Sequence, residues 1–226
     1  MLLIAAAARR FIPALASMSS GAWNAPPGVD LYGKTLAVVG CGGIGRAVAR
    51  IAALGYGMRV VGCTRANAPA PAAIEHFQSV TNDFSAAVRD ADFVSLHMPA
   101  SRENIGFLNR ERLASLNTRA WLINTARGAV VEETALFDAL ASGRIAGAAL
   151  DVFVREPYVP AEGSGELRSL PNVVLTPHVG SNTGESNRRM AERALQNISF
   201  AEAREFARMD LLNRELLKPD AETRRG

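Results

Sequence analysis

The chain has 226 residues, 48% of them hydrophobic and 21% charged, with a formal net charge of +3. This is the composition of a globular protein with ample apolar material for a core, one large domain or a domain and part of another. The basic residues occur as scattered pairs (Arg9-Arg10, Arg188-Arg189, Arg224-Arg225), and only 6% of residues are aromatic, so they read as solvated arginines and not as a nucleic-acid surface.

The chain opens with an apolar run, Leu2 to Ala8, and carries no acid before Asp30. A secretory signal fits poorly, because Arg9 and Arg10 follow the run instead of preceding it. A mitochondrial presequence and the tail of an amphipathic helix both remain open. No apolar run reaches membrane-spanning length. The two cysteines, Cys41 and Cys63, have no metal-ligand spacing with each other or with the three histidines. They read as small packing residues in a reducing, cytoplasmic compartment.

A turn-rich break, Asn24-Ala25-Pro26-Pro27-Gly28, precedes the first strand. Leu36-Ala37-Val38-Val39 is then an apolar run of the kind buried on both faces. Gly40-Cys41-Gly42-Gly43-Ile44-Gly45 follows at once, and Arg46 to Leu54 has helical composition. Gly55 and Gly57 stop that helix, and Val60-Val61 starts a second strand. This is the G-x-G-x-x-G dinucleotide pattern in the strand–turn–helix setting it needs. The first glycine permits a tight turn, the second lets backbone approach a pyrophosphate, and the third lets helix pack on strand. The anion would sit at the helix N-terminus, on free N–H groups. The alternative is a tight βαβ turn that binds nothing.

Further along, Ala66 to Ala73 reads as a loop. Asp83 is a candidate N-cap for a short helix over Phe84 to Arg89, and Asn109 for one over Arg110 to Leu116. Phe93 to Leu96, Trp121 to Ile123, Ala148 to Leu150 and Val173 to Leu175 read as buried strands. Glu132 and Glu133 suit the first turn of a helix whose inner face holds Leu136, Phe137 and Leu140. A long helix is expected from Gly184 to about Met209, with Met190, Ala194, Ile198 and Ala201 at helical spacing. The βα alternation predicts an α/β fold, a doubly wound parallel sheet of the Rossmann type. In such sheets ligands lie beyond the carboxyl ends of the strands. Thr64, His97, Arg127, Asp151 and His178 each follow a predicted strand, which argues for one shared site.

An NAD-selective unit carries Asp or Glu near the end of the second strand, to hold the ribose 2′-hydroxyl. Here the strand ends in Thr64-Arg65, a hydroxyl and a guanidinium that suit a 2′-phosphate. NAD or NADP is therefore expected, with NADP favoured; the alternative is a solvent-facing arginine. His178 is a candidate acid/base. Glu156 is a candidate partner, since a nearby carboxylate favours the charged imidazole; taken singly it reads as a surface carboxylate. Arg127, between Ala126 and Gly128, can grip a carboxylate with two parallel hydrogen bonds. The alternative is a helix-start arginine in salt bridges. No metal site is expected.

Several separate blocks resemble the D-isomer-specific 2-hydroxyacid dehydrogenases. They are Gly33-Lys34-Thr35 through the glycine turn, Leu96-His97-Met98-Pro99, Asn124-Thr125-Ala126-Arg127-Gly128, Gly147 to Phe153, Glu156-Pro157 and Thr176-Pro177-His178-Val179-Gly180. They keep the family's order and spacing from about Leu2 to Leu217. The resemblance implies a nicotinamide-binding Rossmann domain and interconversion of D-2-hydroxy and 2-oxo acids, of the glyoxylate/hydroxypyruvate or phosphoglycerate kind. By position it implies Arg127, Glu156 and His178 as catalytic. Around the cofactor it implies Gly40, Gly42, Gly43, Ile44, Gly45, Thr64, Arg65, His97, Pro99, Thr125, Ala126, Arg127, Asp151, His178 and Gly180. Glu156 argues against the related formate dehydrogenases, which lack that carboxylate. A homodimer is the family expectation.

The expected organisation is a leading helix and linker over residues 1–25, the Rossmann domain over 26–182, and a C-terminal helix over 183–226. The family places roughly a hundred residues, the size of a small domain, before the leading helix. Without them the second domain is truncated, the leading helix is expected to expose its apolar face, and Arg127 and His178 are expected to face solvent. A truncated product or misplaced start is the favoured explanation. A natural short form completed by a partner, and a nucleotide-sensing module without turnover, are the others.

Overall fold

The computed structural model describes residues 1–65 and 74–211, so the expected loop at Ala66 to Ala73 lies outside the described residues. Two compact units, Met1–His178 and Val179–Gly226, are taken separately.

The first unit is built on seven strands: β1 (Thr35–Val39), β2 (Arg59–Cys63), β3 (Ser79–Thr81), β4 (Phe93–Leu96), β5 (Trp121–Asn124), β6 (Gly147–Leu150) and β7 (Val173–Leu175). They form one sheet in the order β3-β2-β1-β4-β5-β6-β7. Every pairing is parallel. The chain grows outward from β1 in one direction through β2 and then from β4 in the other, which is the doubly wound Rossmann topology. β3 is the one strand the sequence reading lacks. Three residues carry no period, and pairing with β2 is what makes Ser79 to Thr81 a strand.

Helices cover both faces of the inner strands, which are accordingly mostly apolar, and alternate residues feed different cores. Leu36 and Val38 of β1, Phe93 of β4, Ile123 of β5 and Ala149 of β6 point into one core. Ala37, Val39, Val94, Leu96, Leu122, Ala148 and Leu150 point into the other. The first core is closed by α1 (Leu2–Ala8) and α3 (Gly43–Tyr56), the second by α4 (Phe84–Val88), α5 (Arg110–Ser115) and α6 (Glu133–Ala141). Small residues, Ala49 and Ala52, let α3 lie close on the sheet. The expected caps form: Asp83 accepts from Ala86 N at 3.2 Å and Asn109 from Arg112 N at 3.0 Å. At the opposite end of the sheet, Asp92 accepts from Thr35 N at 2.9 Å and from Arg119 Nε at 2.8 Å. Burial works to raise this carboxyl, but the Thr35 N–H, Arg119 and Lys34 outweigh it and hold it below the usual carboxylate range.

The N-terminal segment departs from expectation. The leading helix does not expose its apolar face: Leu3, Ile4, Ala7 and Ala8 of α1 are buried against the sheet, Ile4 to 1% exposure. Burying a side chain of that size contributes roughly 1.5–3 kcal/mol. The exposed apolar residues belong instead to an unanticipated second helix, α2 (Phe11–Ser19), where Phe11, Ile12, Leu15 and Met18 face outward. Pro13 is tolerated there because it sits in the first turn, where its missing N–H has no intrahelical role. Among the described residues no single helix is long and apolar enough to cross a membrane. α1 and α2 together reach the length, but they bend by 70°.

In the second unit α7 (Gly184–Glu202) is capped by Thr183, whose Oγ1 accepts from Ser186 N at 3.1 Å. It stops at Glu202, short of the expected Met209. Arg204 adopts a left-handed φ of 55°, and Glu205 N closes onto Phe200 O at 2.8 Å, a Schellman-type stop. Its expected inner-face residues Met190 and Ile198 are more than half exposed.

Candidate functional site

The carboxyl ends of six strands stand in register. Val39 pairs with Cys63 and Leu96, Leu96 with Asn124, Asn124 with Leu150, and Leu150 with Leu175. The ladder runs one residue further at each step. Gly40 N donates to Cys63 O (2.9 Å), His97 N to Val39 O (2.7 Å), Asp151 N to Asn124 O (3.0 Å) and Thr176 N to Leu150 O (3.0 Å). Thr64, Gly40, His97, Thr125, Asp151 and Thr176 therefore form one row. With strands about 4.8 Å apart, the four steps from Thr64 to Asp151 span roughly 19 Å, a length that calls for an extended, two-headed ligand.

The glycine turn lies near one end of this row. Gly40 has φ 104°, and a Cβ there would meet His97 O at 2.3 Å, so only glycine fits. A Cβ on Gly45 would lie 2.1 Å from Gly40 O and 3.1 Å from Val38 Cγ1, which is how α3 starts so close to β1. Gly42 and Gly43 face open space, with nothing within 4 Å of a Cβ position. The N-cap of α3 is Gly42, with no side-chain cap and no acid in the first turn. The amides of Gly43, Ile44 and Gly45 are thus left for a ligand anion. Arg46, which the sequence reading passes over, donates from Nε to Cys41 O at 3.0 Å and braces the turn.

Two neighbours extend the cradle. Thr64 Oγ1 is buried with no hydrogen-bond partner among the described residues. A buried hydroxyl left unpaired costs stability, so its position at the end of β2 suits a ligand oxygen. These residues fit a dinucleotide. His97 contributes differently: its Nε2 meets Ser95 Oγ at 2.9 Å, so the ring turns back along β4 and the backbone is what reaches the turn. Burial, with the Met1 amino group adding to it, pushes this imidazole down to about 4. Pro99 O accepts from Asn104 Nδ2 at 2.9 Å, tying down the segment after His97.

Past β5 the chain makes a side-chain-clamped turn. Asn124, 1% exposed, accepts from Ala126 N through Oδ1 at 3.0 Å and donates through Nδ2 to Arg127 O at 3.0 Å. Both halves of its amide are satisfied, and Thr125 and Arg127 are left exposed. The Arg127 guanidinium meets Ala126 O at 2.6 Å, and among the described residues it makes no ion pair. Asp151, 4% exposed, accepts from Thr176 Oγ1 at 2.5 Å. That bond joins the ends of β6 and β7.

Beyond β7, His178 takes a left-handed φ of 53°. For a residue with a Cβ this costs of order 1–3 kcal/mol and is held only by its surroundings. Its Nδ1 donates to Glu156 Oε2 at 2.7 Å, leaving Nε2 to face outward chemistry. Glu156 Oε1 accepts from Phe153 N at 3.0 Å. His178 first, and the Phe153 N–H second, hold the Glu156 carboxyl below the usual range. Both side chains remain well exposed, 47% and 37%.

The sequence reading leaves the meeting of Glu156 with His178 open; the structure joins them. Asn124, Gly128, Phe153 and Thr176 stand in the resembling blocks without a role of their own; they act through backbone and short-range contacts that residue type alone does not announce. Gly180 belongs to the second unit. Among the described residues no group of three or more His, Cys, Asp or Glu is placed to hold a metal.

Residues 1–180 match the family described as D-isomer specific 2-hydroxyacid dehydrogenase, NAD binding domain. The chain is 40% identical over 224 residues to a glyoxylate reductase of Thermococcus litoralis, covering 95% of this chain and 65% of that protein. It is 36% identical over 198 residues to a hydroxypyruvate reductase of Thermotoga maritima, covering 87% and 62%. Among solved structures it resembles a glyoxylate reductase from Paecilomyes thermophila, with TM-score 0.79 and 32% identity over 88% of this chain and 59% of that one. The chain thus spans just under two thirds of the length of these relatives.

Proposed function

The chain belongs to the D-isomer specific 2-hydroxyacid dehydrogenase family, and from that premise we propose that it serves an oxidoreductase that interconverts a small 2-oxo acid and its D-2-hydroxy acid, of the glyoxylate/hydroxypyruvate kind. The observation that carries the reading is the 2.7 Å bond between His178 Nδ1 and Glu156 Oε2, beyond the same strand ends that carry Arg127 and the glycine turn. A bound nicotinamide cofactor supplies or takes up hydride. Arg127, whose guanidinium is steadied by Ala126 O, grips the substrate carboxylate. Glu156 fixes the ring of His178 by taking the Nδ1 proton bond, so that Nε2 is the atom that gives a proton to the oxo oxygen in reduction and takes it back in oxidation. Asp151, held by Thr176, would hold the carboxamide end of the cofactor, and the amides of Gly43 and Ile44 would hold its pyrophosphate.

NADP is the favoured cofactor. The unpaired Thr64 hydroxyl and the adjacent Arg65 stand where NAD-selective units carry an acid. Phosphoglycerate remains the second substrate class. The family expectation of a homodimer extends to this chain, and its two free thiols, Cys41 and Cys63, suit a reducing cytoplasm. In light scattering a single species near 24.1 kDa would count against the dimer.

Purified protein mixed with glyoxylate or hydroxypyruvate and NADPH should lose nicotinamide absorbance. The exposure of His178 and Arg127 favours one other reading: a chain that binds the nucleotide without turnover, as an impaired module or a nucleotide-sensing interaction protein. NADPH binding with no absorbance loss across several 2-oxo acids, phosphohydroxypyruvate included, would select it.

A further inference from the structure

The loops that hold the candidate chemistry meet at a backbone contact that takes no part in the reaction itself. Gly128 follows Arg127 directly. A Cβ built on it would lie 1.9 Å from the Phe153 carbonyl carbon, 2.1 Å from its oxygen and 2.4 Å from Val154 N. Ordinary contact begins at 3.4 Å, so even an alanine here forces the Phe153 peptide away by more than about 1 Å, a displacement large enough to disturb a reacting geometry. Phe153 is tied in turn to the acid–base pair, through its N–H on Glu156 Oε1 at 3.0 Å and the Glu156 Oε2 bond to His178 at 2.7 Å. On the other side Asn124 clamps the same turn at Ala126 N and Arg127 O. The contacts therefore run from the arginine turn to the Phe153–Val154 peptide, across the Phe153 Cα to the Phe153 N–H, and on to the carboxylate and the imidazole.

We propose that Gly128 is a positioning residue: by letting the Phe153 peptide close on the arginine turn, it sets Glu156, and through it His178, relative to Arg127. The inference rests on the roles given to Arg127, Glu156 and His178 in the proposed function. Substrate carboxylate and proton donor must be held at one spacing, and two exposed side chains on separate loops do not hold it by themselves. A peptide wedged against a bare Cα does, because neither partner has a rotamer to change.

The test is Gly128→Ala in the full chain, with the Glu156 carboxyl followed by 13C NMR and identified by its loss in Glu156→Gln. A cooperative melt and an unchanged NADPH fluorescence titration establish that the variant is folded. The Glu156 titration should then move upward, toward the ordinary carboxylate range, as the Phe153 N–H withdraws. A folded variant with the Glu156 titration unmoved overturns the proposal. Should Gly128→Ala fail to fold, the unsubstituted chain decides it: the Gly128 and Phe153 amide resonances should both follow the Glu156 titration and lose that step in Glu156→Gln. A Gly128 resonance flat through that range overturns the coupling. None of these readouts needs turnover, so a failed reductase assay and a failed coupling are separate results. Where turnover is present, Gly128→Ala should lower kcat by about 10²-fold and alter its pH profile.

Discussion

The two ends of the strand-end row are built from different materials. The nucleotide end is backbone: a turn at Gly40, a close approach at Gly45, and uncapped amides at the start of α3. The acid–base end is side chain: Arg127, Glu156 and His178 are all exposed, and each is held by one or two hydrogen bonds. Backbone geometry of that kind is stiff and cannot be altered without disturbing the sheet. Exposed side chains can be replaced one at a time while the sheet stays intact. Fold and chemistry should therefore separate under mutation, cleanly at one end and not at the other.

The sharpest division comes from His178→Ala. Losing a positioned acid/base should lower turnover about 10²–10⁴-fold, while the urea midpoint and NADPH affinity stay near those of the parent; equal turnover would falsify the proton-transfer role. Gly45→Ala probes the opposite end. Its Cβ would lie 2.1 Å from Gly40 O, a backbone atom with nowhere to go, and the variant should lose about 3 kcal/mol or more in urea unfolding together with cofactor binding. An unchanged midpoint there would mean that the turn is not stiff, and the contrast between the two ends would fall.

Smaller effects refine the contrast. Arg127→Lys keeps the charge but loses the paired donors. It should lower kcat/KM for the 2-oxo acid roughly 10–100-fold, mostly through KM, as expected for a charge-assisted hydrogen bond of about 1.5–3 kcal/mol; a kcat effect with KM unmoved would place the arginine elsewhere in the mechanism. Smallest is a pH effect on stability. The Glu156 carboxyl lies below its ordinary value because of His178 and the Phe153 N–H. A depressed carboxyl stabilises the fold above its unfolded value of about 4.3, and that contribution is lost as pH falls through the folded value. The difference in melting temperature between the parent and Glu156→Gln should accordingly shrink in acid. The pair is exposed, so the difference is modest at any pH, and one that stays constant from neutral to acid would show that the bond contributes nothing.

Much of this fold is legible in the residues. The glycine turn, the strands and the caps at Asp83 and Asn109 follow from short-range rules, since apolar runs, φ requirements and side-chain caps act within a few residues. The failures share a cause. α1 reads as an exposed apolar helix because nothing local says that Leu3 and Ile4 find the sheet. β3 has no pattern of its own and exists by pairing with β2. α7 ends early because Arg204 turns left-handed, which an arginine does not advertise.

The sequence by itself determined a doubly wound sheet with a nucleotide turn after its first strand, and the candidate residues that follow its strands. Those properties are written in spacing and in residues whose backbone demands are unusual. Only the tertiary structure decided that Glu156 meets His178 across 22 positions, that Asn124 holds the turn bearing Arg127, and that Gly128 stands against Phe153. Such contacts depend on where the ends of β5, β6 and β7 come to lie, which pairing and packing across the sheet set, and no stretch of the chain carries that information alone.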